Sequence, residues 1–187
     1  MNLFQIIDTP RLRLRSLLSE DASDYHALES DVEVKEFLNG PTKRDAEYYR
    51  AQIAKQGDLL ATTLAVCLKD TGQFIGRCGF TDANEDIGWE FNIVLAKKFW
   101  GKGYAEEIAK ALIPTAFQLL ACSMIHAVVE VKNARSIKLC EALGMTAGRE
   151  LPRYQGHARV YTISKAVIGM PQGIAQSRFG IPTSCST

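Results

Sequence analysis

A short stretch in the middle of the chain combines residue types that could bind a phosphate group. In "AKKFWGKGYAEEIAKAL" Gly101 and Gly103 stand one residue apart, close to three lysines: Lys97, Lys98 and Lys102. The first backbone N–H groups of a helix lack intrahelical partners and carry the positive end of its dipole, so they can hold an anion. Glycine removes the Cβ atom that would block close approach. The pattern predicts a phosphate or pyrophosphate site, and a glycine-rich connection with solvated lysines is the alternative interpretation.

Two common nucleotide-binding motifs do not fit this stretch. A P-loop needs G-x-x-x-x-G-K-[S/T], but Gly103 follows Lys102, and Ala96 stands at the first glycine position. A dinucleotide fingerprint needs a glycine where Glu106 stands and an acidic residue about 20 positions later, where the chain reads "CSM". The phosphate would therefore belong to another kind of ligand.

The composition indicates one globular domain. With 187 residues the chain can bury a sizeable core, and its net charge of +1 provides no general attraction for nucleic acid or an anionic membrane. "MNLFQIIDTP" has neither a basic leader nor a long apolar run, and no stretch approaches the roughly 18 apolar residues of a membrane span. We therefore expect a cytoplasmic protein without membrane or nucleic-acid partners.

The cysteines and histidines show no metal-binding or disulfide pattern. The five cysteines are widely spaced and form no C-x-x-C pair, which favours free thiols in a reducing compartment. The three histidines, His26, His126 and His157, do not have the spacing of metal ligands. We expect no metal.

Sequence periodicity predicts helices and strands in a mixed order. Alternating apolar residues predict a strand at 11–17, and capping residues predict helices that begin near Ser19 and near Thr42 and Asp45. Apolar runs on either side of "KDTGQ" predict a hairpin, 60–69 with 73–80, and "WEFNIVLA" predicts the next strand. These three strands would form an antiparallel meander.

The second half of the chain continues the alternation. Apolar residues at helical spacing after Gly103 predict a helix of about five turns. "IHAVVEV" predicts a buried strand, and "NARSIKLCEALG" predicts a helix with Asn133 as N-cap and Gly144 as C-cap. "MTAGREL" and "RVYTISK" would complete the sheet. We expect a single domain over 1–168 and a C-terminal tail over 169–187, which lacks periodicity.

Several of these stretches, in order, resemble the GNAT superfamily of N-acetyltransferases. "KFWGKG" resembles its Q/R-x-x-G-x-G/A turn, with Lys98 in place of Gln or Arg, and "FWGKGYAEE" is similar to the RimJ/RimL-type branch. "DTPRLRLRSL", "GQFIGRCGF" and "NARSIKLCEALGM" follow the family's order over roughly residues 8–165. The resemblance implies an α+β fold with a mixed, mostly antiparallel sheet of six or seven strands, flanked by helices, in which the cofactor-binding strand splays from its neighbour.

The resemblance also implies acetyl-CoA as co-substrate and a set of residues that bind it. The splayed strand would offer main-chain groups to pantetheine, and the N–H groups from 101 to 105 would hold the pyrophosphate. The implied cofactor-binding residues are Ile93, Val94, Leu95, Lys98, Gly101, Lys102, Gly103, Tyr104, Ala105, Asn133, Ser136 and Cys140.

Attack of an amine on a thioester needs a base for the amine proton and a group that assists the departing thiolate. Glu90 matches the acid of the family's cofactor strand and is the candidate base, with an exposed strand residue as the alternative interpretation. Many relatives place a tyrosine seven residues after the opening asparagine of the last helix, but here that residue is Cys140. Ser136, three residues after Asn133, matches the serine of RimJ/RimL-type members and is the candidate for assisting the thiolate.

The resemblance implies direct acetyl transfer to a primary amine, either a protein N-terminus or a small molecule, by a monomer or homodimer. A non-catalytic acyl-CoA-binding module is the alternative from another class, because Lys98 and Cys140 depart from the family pattern. A different thioester such as succinyl-CoA also stays open. The residues do not identify the amine.

Overall fold

The structure, a computed structural model, describes residues 6–55, 62–83, 87–153 and 156–169. In this part of the chain the strands are β1 (Ile7–Asp8), β2 (Leu12–Ser16), β3 (Thr63–Leu68), β4 (Phe74–Asp82), β5 (Trp89–Leu95), β6 (Met124–Glu130), β7 (Thr146–Arg153) and β8 (Gly156–Ser164). The α-helices are α1 (Ala22–Ser30), α2 (Ala46–Lys55), α3 (Tyr104–Leu119) and α4 (Ala134–Ala142). The predicted tail beyond Gly169 lies outside the described residues.

The described strands form one sheet in the order β1-β2-β3-β4-β5-β6-β8-β7. Neighbouring strands are antiparallel except β5 and β6, which are parallel. The expected mixed, mostly antiparallel sheet and the meander of β3, β4 and β5 are confirmed. The expected strand number of six or seven is too low, because the two-residue β1 adds an eighth strand beside β2. A strand of only two residues is too short to show the alternation from which strands are predicted.

Helices cover both faces of the sheet. Successive strand residues point to opposite faces, and the residues of β3 pack alternately into the cores on the two faces of the sheet. Leu64 and Val66 join the core that α3 covers, whereas Ala65 and Cys67 join the core beneath α1 and α2. All four residues are buried. The sheet is therefore the middle layer of three.

The long helix α3 follows the predicted stripe. Ile108, Leu112 and Ala116 are each 0% exposed and lie in the larger core. The helix has 16 residues, somewhat fewer than the five turns expected. Its burial fixes the position of its first turn, where the predicted phosphate site lies.

The predicted helix ends are partly correct. The Asn133 side chain accepts a hydrogen bond from the Ser136 N–H, as an N-cap does, and Gly144 follows α4 with φ +71°. The Ser19 cap is wrong, because Ser19 begins a short 3₁₀ helix without a side-chain cap. The capping box at Thr42 is also wrong: α2 begins at Ala46, and the Asp45 carboxylate accepts from the Tyr48 N–H.

None of the helices in the described part of the chain is long and apolar enough to cross a membrane.

Candidate active site

Strands β5 and β6 separate after one point of contact. Across these two fully described strands, pairing occurs at Glu90 opposite His126, while β6 continues to pair with β8 on its other side. A cavity of about 430 Å³ opens where the two strands part, and it is also lined by residues of α4. The predicted site residues that line it are Glu90, Ile93, Val94, Asn133, Ser136 and Cys140. The separation matches the expected splayed strand.

Glu90 lies at the point where the strands separate. It is 5% exposed, so the alternative interpretation as an exposed strand residue is wrong. Its Oε2 accepts a hydrogen bond from Arg153 Nη2 at 2.8 Å. Burial raises the pKa of the Glu90 carboxyl because a charged group is poorly solvated there, and Arg153 opposes part of that rise. The result is a carboxylate that binds a proton more readily than a solvated glutamate.

Helix α4 places three side chains on the opposite side of the cavity. Asn133 Oδ1 accepts from the Ser136 N–H at 3.2 Å, which fixes the first turn. Ser136 is half-buried, and Cys140 is 3% exposed. Burial raises the pKa of the Cys140 thiol to about 12. Since the thiolate is the nucleophilic form of cysteine, Cys140 is poorly suited to carry an acyl group.

The glycine turn lies between β5 and α3. Gly101 and Gly103 have φ of +73° and +77°, a left-handed conformation that glycine adopts without strain, and Gly103 is the N-cap of α3. The exposed Lys98 and Lys102 extend over the ring of Phe99, with Nζ 5.1 and 5.3 Å from its centroid. The turn therefore presents open backbone and two ammonium groups to solvent.

The structure does not place every predicted residue in the same cavity. The residues of the turn and its flanks lie beside the cavity, not among its lining residues: Leu95, Lys98, Gly101, Lys102, Gly103, Tyr104 and Ala105. Leu95 is buried, and its carbonyl accepts a hydrogen bond from Trp100 Nε1 at 2.7 Å. That carbonyl has one lone pair left for another donor.

Arg11 is a residue near the turn that the sequence interpretation missed. Its Nη1 donates to the Lys102 carbonyl at 2.9 Å, its Nε lies 2.6 Å from Glu107 Oε2, and its guanidinium lies 4.5 Å from the Tyr104 ring centroid. Glu107 also accepts from the Thr9 hydroxyl. These bonds connect the start of β2 to the turn and hold the turn in one conformation. "DTPRLRLRSL" carried the family resemblance, but nothing in it indicated this contact.

Arg153 is a second missed residue, since it follows Glu90 by 63 positions. The chain gives no local signal for such a pair. Within the described residues, no group of three His, Cys, Asp or Glu side chains could hold a metal ion.

Comparisons with known proteins agree with this geometry. The family model "Acetyltransferase (GNAT) domain" matches residues 11–146. The chain is 35% identical over 140 residues to the uncharacterised N-acetyltransferase p20 of Bacillus licheniformis, covering 72% of this chain and 79% of that protein.

Solved structures show the same fold. A GNAT-family acetyltransferase from Bacillus anthracis superposes with a TM-score of 0.75 at 22% identity, covering 87% of this chain and 99% of that one. The spermidine N-acetyltransferase of Vibrio cholerae, solved with CoA and spermine, has a TM-score of 0.71 at 22% identity, covering 83% and 96%. The splayed strand, the glycine turn and the match over most of the chain lead to one conclusion: this protein belongs to the GNAT acetyltransferase family.

Proposed function

We propose that this protein transfers an acetyl group from acetyl-CoA to a primary amine by direct attack within a ternary complex. The observation that carries the proposal is the position of Glu90, a buried carboxylate at the point where β5 and β6 part and the cavity opens. Family membership supports acyl transfer, and this carboxylate supplies the base that the amine needs.

The splayed strand and the glycine turn would together hold acetyl-CoA. Main-chain groups from Ile93 to Leu95 would bind pantetheine in the space that β6 leaves open. The N–H groups at the start of α3 would bind the pyrophosphate, because the helix dipole and the two positive-φ glycines favour an anion there. Lys98 and Lys102 would add charge beside the phosphates.

Glu90 would accept a proton from the incoming amine, either directly or through one water molecule. The amine nitrogen then attacks the thioester carbonyl carbon, the new C–N bond forms, and the C–S bond breaks. The raised pKa of Glu90 brings its basicity closer to neutral pH, where a general base is most effective.

Ser136 would donate a hydrogen bond to the departing sulfur from the α4 side of the cavity. A thiolate is a weak base near neutral pH, so it can leave without a strong acid. A hydrogen bond from Ser136 is then sufficient, and the tyrosine of many relatives is not needed. Asn133 fixes the turn that carries Ser136, and Cys140 lines the wall beside it. Transfer therefore proceeds without an acyl-cysteine intermediate.

The proposed acceptor is a protein N-terminus or a small amine. This proposal rests on the similarity of "FWGKGYAEE" to the RimJ/RimL-type branch. The proposed setting is the cytoplasm, and the active form is a monomer or homodimer.

A thiol-release assay tests the proposal. Purified protein and acetyl-CoA are mixed with one amine at a time from a panel of peptides, free amino acids, polyamines and aminoglycosides. The masses of the products are measured by mass spectrometry. Amine-dependent release with a product heavier by one acetyl group supports the enzyme. Tight acetyl-CoA binding in calorimetry without release from any amine would support the non-catalytic module instead.

A further inference from the structure

Two cations, Lys35 and Arg77, lie together in the lining of the cavity. The charged side chains among its described lining residues are three cations, Lys35, Arg77 and Arg153, and two carboxylates, Glu90 and Glu130. Glu90 and Arg153 pair with each other, so their charges offset locally. The charged lining residues that remain are Lys35 and Arg77, which lie together, and Glu130, which lies on β6.

Lys35 and Arg77 share one buried carboxylate. Lys35 Nζ lies 2.5 Å from Glu29 Oε2, and Arg77 Nε lies 2.6 Å from Glu29 Oε1. The side chains of Lys35 and Glu29 are 9% and 10% exposed. Burial raises the pKa of Glu29, but Arg77 and Lys35 lower it further than burial raises it, so this carboxyl is ionised. The cluster therefore carries two positive charges against one negative charge.

An excess buried charge is costly unless another group compensates it. Both cations line the cavity, so an anionic group of a bound molecule can reach them. Lys35 has three ammonium donors and Arg77 has five guanidinium donors, which exceeds what the Glu29 carboxylate can accept. The cluster can thus bind a second carboxylate without breaking its own bonds.

A line of hydrogen bonds leads from this cluster towards Glu90. Arg77 Nη1 donates to Asn92 Oδ1 at 3.1 Å, and Asn92 Nδ2 donates to Thr81 Oγ1 at 3.1 Å. Thr81 lies opposite Glu90 in the β4–β5 register. Asn92 is two residues from Glu90 on the same face of β5, a separation of about 7 Å between their Cα atoms. The cation cluster and the candidate base therefore line the same cavity, and they are linked along one face of the β4–β5 pair.

We propose that the acceptor is a small primary amine that carries a carboxylate several bonds from its nitrogen, with the amine at Glu90 and the carboxylate at Lys35 and Arg77. This inference rests on the proposed acetyl transfer and names its substrate class. A polyamine would place a second ammonium group against the cation cluster, which opposes its binding. The site thus favours amino acids over diamines.

Three amines of equal chain length test the proposal: 5-aminopentanoate, pentylamine and cadaverine. We expect kcat/KM to be about tenfold or more higher for 5-aminopentanoate than for pentylamine, which is the size of one hydrogen bond to a charged group, and lowest for cadaverine. Equal or reversed values would overturn the substrate class while leaving acetyl transfer intact. Absence of release from every amine would overturn the transfer and this inference with it.

Two substitutions in the cluster give opposite expectations. Arg77→Gln removes one cation, and we expect kcat/KM for 5-aminopentanoate to fall about tenfold with little change for pentylamine. Glu29→Gln raises the excess positive charge, and we expect KM for 5-aminopentanoate to fall severalfold. A gain of affinity cannot result from misfolding, so the second variant protects the test from a stability artefact. If Glu29→Gln left KM for 5-aminopentanoate unchanged or raised it, the proposal would be wrong.

Discussion

Glu90 and Arg153, 63 residues apart in the sequence, form an ion pair of 2.8 Å between Oε2 and Nη2 at the point where β5 and β6 separate. The pair has two consequences for a base in this position. Burial makes the carboxylate more basic, while the guanidinium limits that effect and holds the side chain in one orientation.

Removal of Arg153 is expected to move the acidic limb of the pH–rate profile. A base must be deprotonated to act, and Arg153 lowers the pKa of Glu90, so Arg153→Gln raises that pKa further. The acidic limb of kcat/KM should then shift to higher pH with the same amine, whose own pKa in solution the variant does not change. Arg159→Gln is the control, because Arg159 pairs with Glu150 on the exposed side of the same hairpin. An unshifted limb in Arg153→Gln would argue against Glu90 as the titrating base.

Substitution of Gly103 is expected to weaken acetyl-CoA binding. Gly103→Val forces a β-branched residue into φ +77° and adds a side chain at the start of α3. We expect its Kd for acetyl-CoA, measured by calorimetry, to rise about tenfold or more, as loss of one charge-assisted bond would produce.

Gly72→Val is the matched control for the turn. Gly72 has φ +71° in the β3–β4 connection, and beyond its two chain neighbours no atom lies within 4 Å of an added Cβ. Both variants should lose thermal stability through the same backbone conformation, and Gly103→Val alone should lose cofactor affinity. Equal cofactor affinity in the two variants would contradict the phosphate site.

Arg11 is expected to influence the cofactor without touching the acceptor. Arg11→Gln removes the bonds to the Lys102 carbonyl and Glu107 that hold the turn. We expect KM for acetyl-CoA to rise severalfold, with kcat at saturating acetyl-CoA close to that of the unsubstituted protein. Arg13→Gln, two residues further along in β2 and paired with the exposed Asp8, should change neither constant. An effect on kcat alone would contradict the positioning role of Arg11.

Cys140 and Ser136 are expected to differ in their effect on turnover. With its thiol pKa raised to about 12, Cys140 does not serve as a nucleophile, so Cys140→Ala should keep kcat within about threefold. Ser136→Ala should lower kcat about tenfold, the value of one hydrogen bond to the developing thiolate. Loss of all turnover in Cys140→Ala, together with an acylated cysteine in the unsubstituted protein, would require a covalent intermediate.

Local features of the sequence predicted local features of the structure. The period of four after Gly103 indicated α3, the two glycines indicated a turn with open backbone, and Asn133 indicated the cap of α4. Periodicity could not predict the strand order across the sheet. The family resemblance implied a mixed sheet with a splayed strand, and the order itself came from the structure.

The long-range pairs were beyond the reach of sequence patterns. Arg11 with Glu107 and Glu90 with Arg153 join elements that are distant in the chain, and arginine at those positions looks like any solvated strand residue. The Glu29 cluster joins α1 to β4 in the same way. Which charged residues become buried depends on the packing of the whole sheet, and this is why no substrate class could be proposed from the sequence.

The replacement of Glu90 by glutamine tests the central claim most directly. A glutamine at this position would keep the size of the side chain and one oxygen that can accept from Arg153, but it cannot accept the amine proton. For Glu90→Gln we expect calorimetry to give an acetyl-CoA Kd within about twofold of the unsubstituted protein, while kcat in the thiol-release assay falls roughly 100-fold or more. Turnover within a few-fold of the unsubstituted protein, with the cofactor bound equally well, would contradict the assignment of Glu90 as the base.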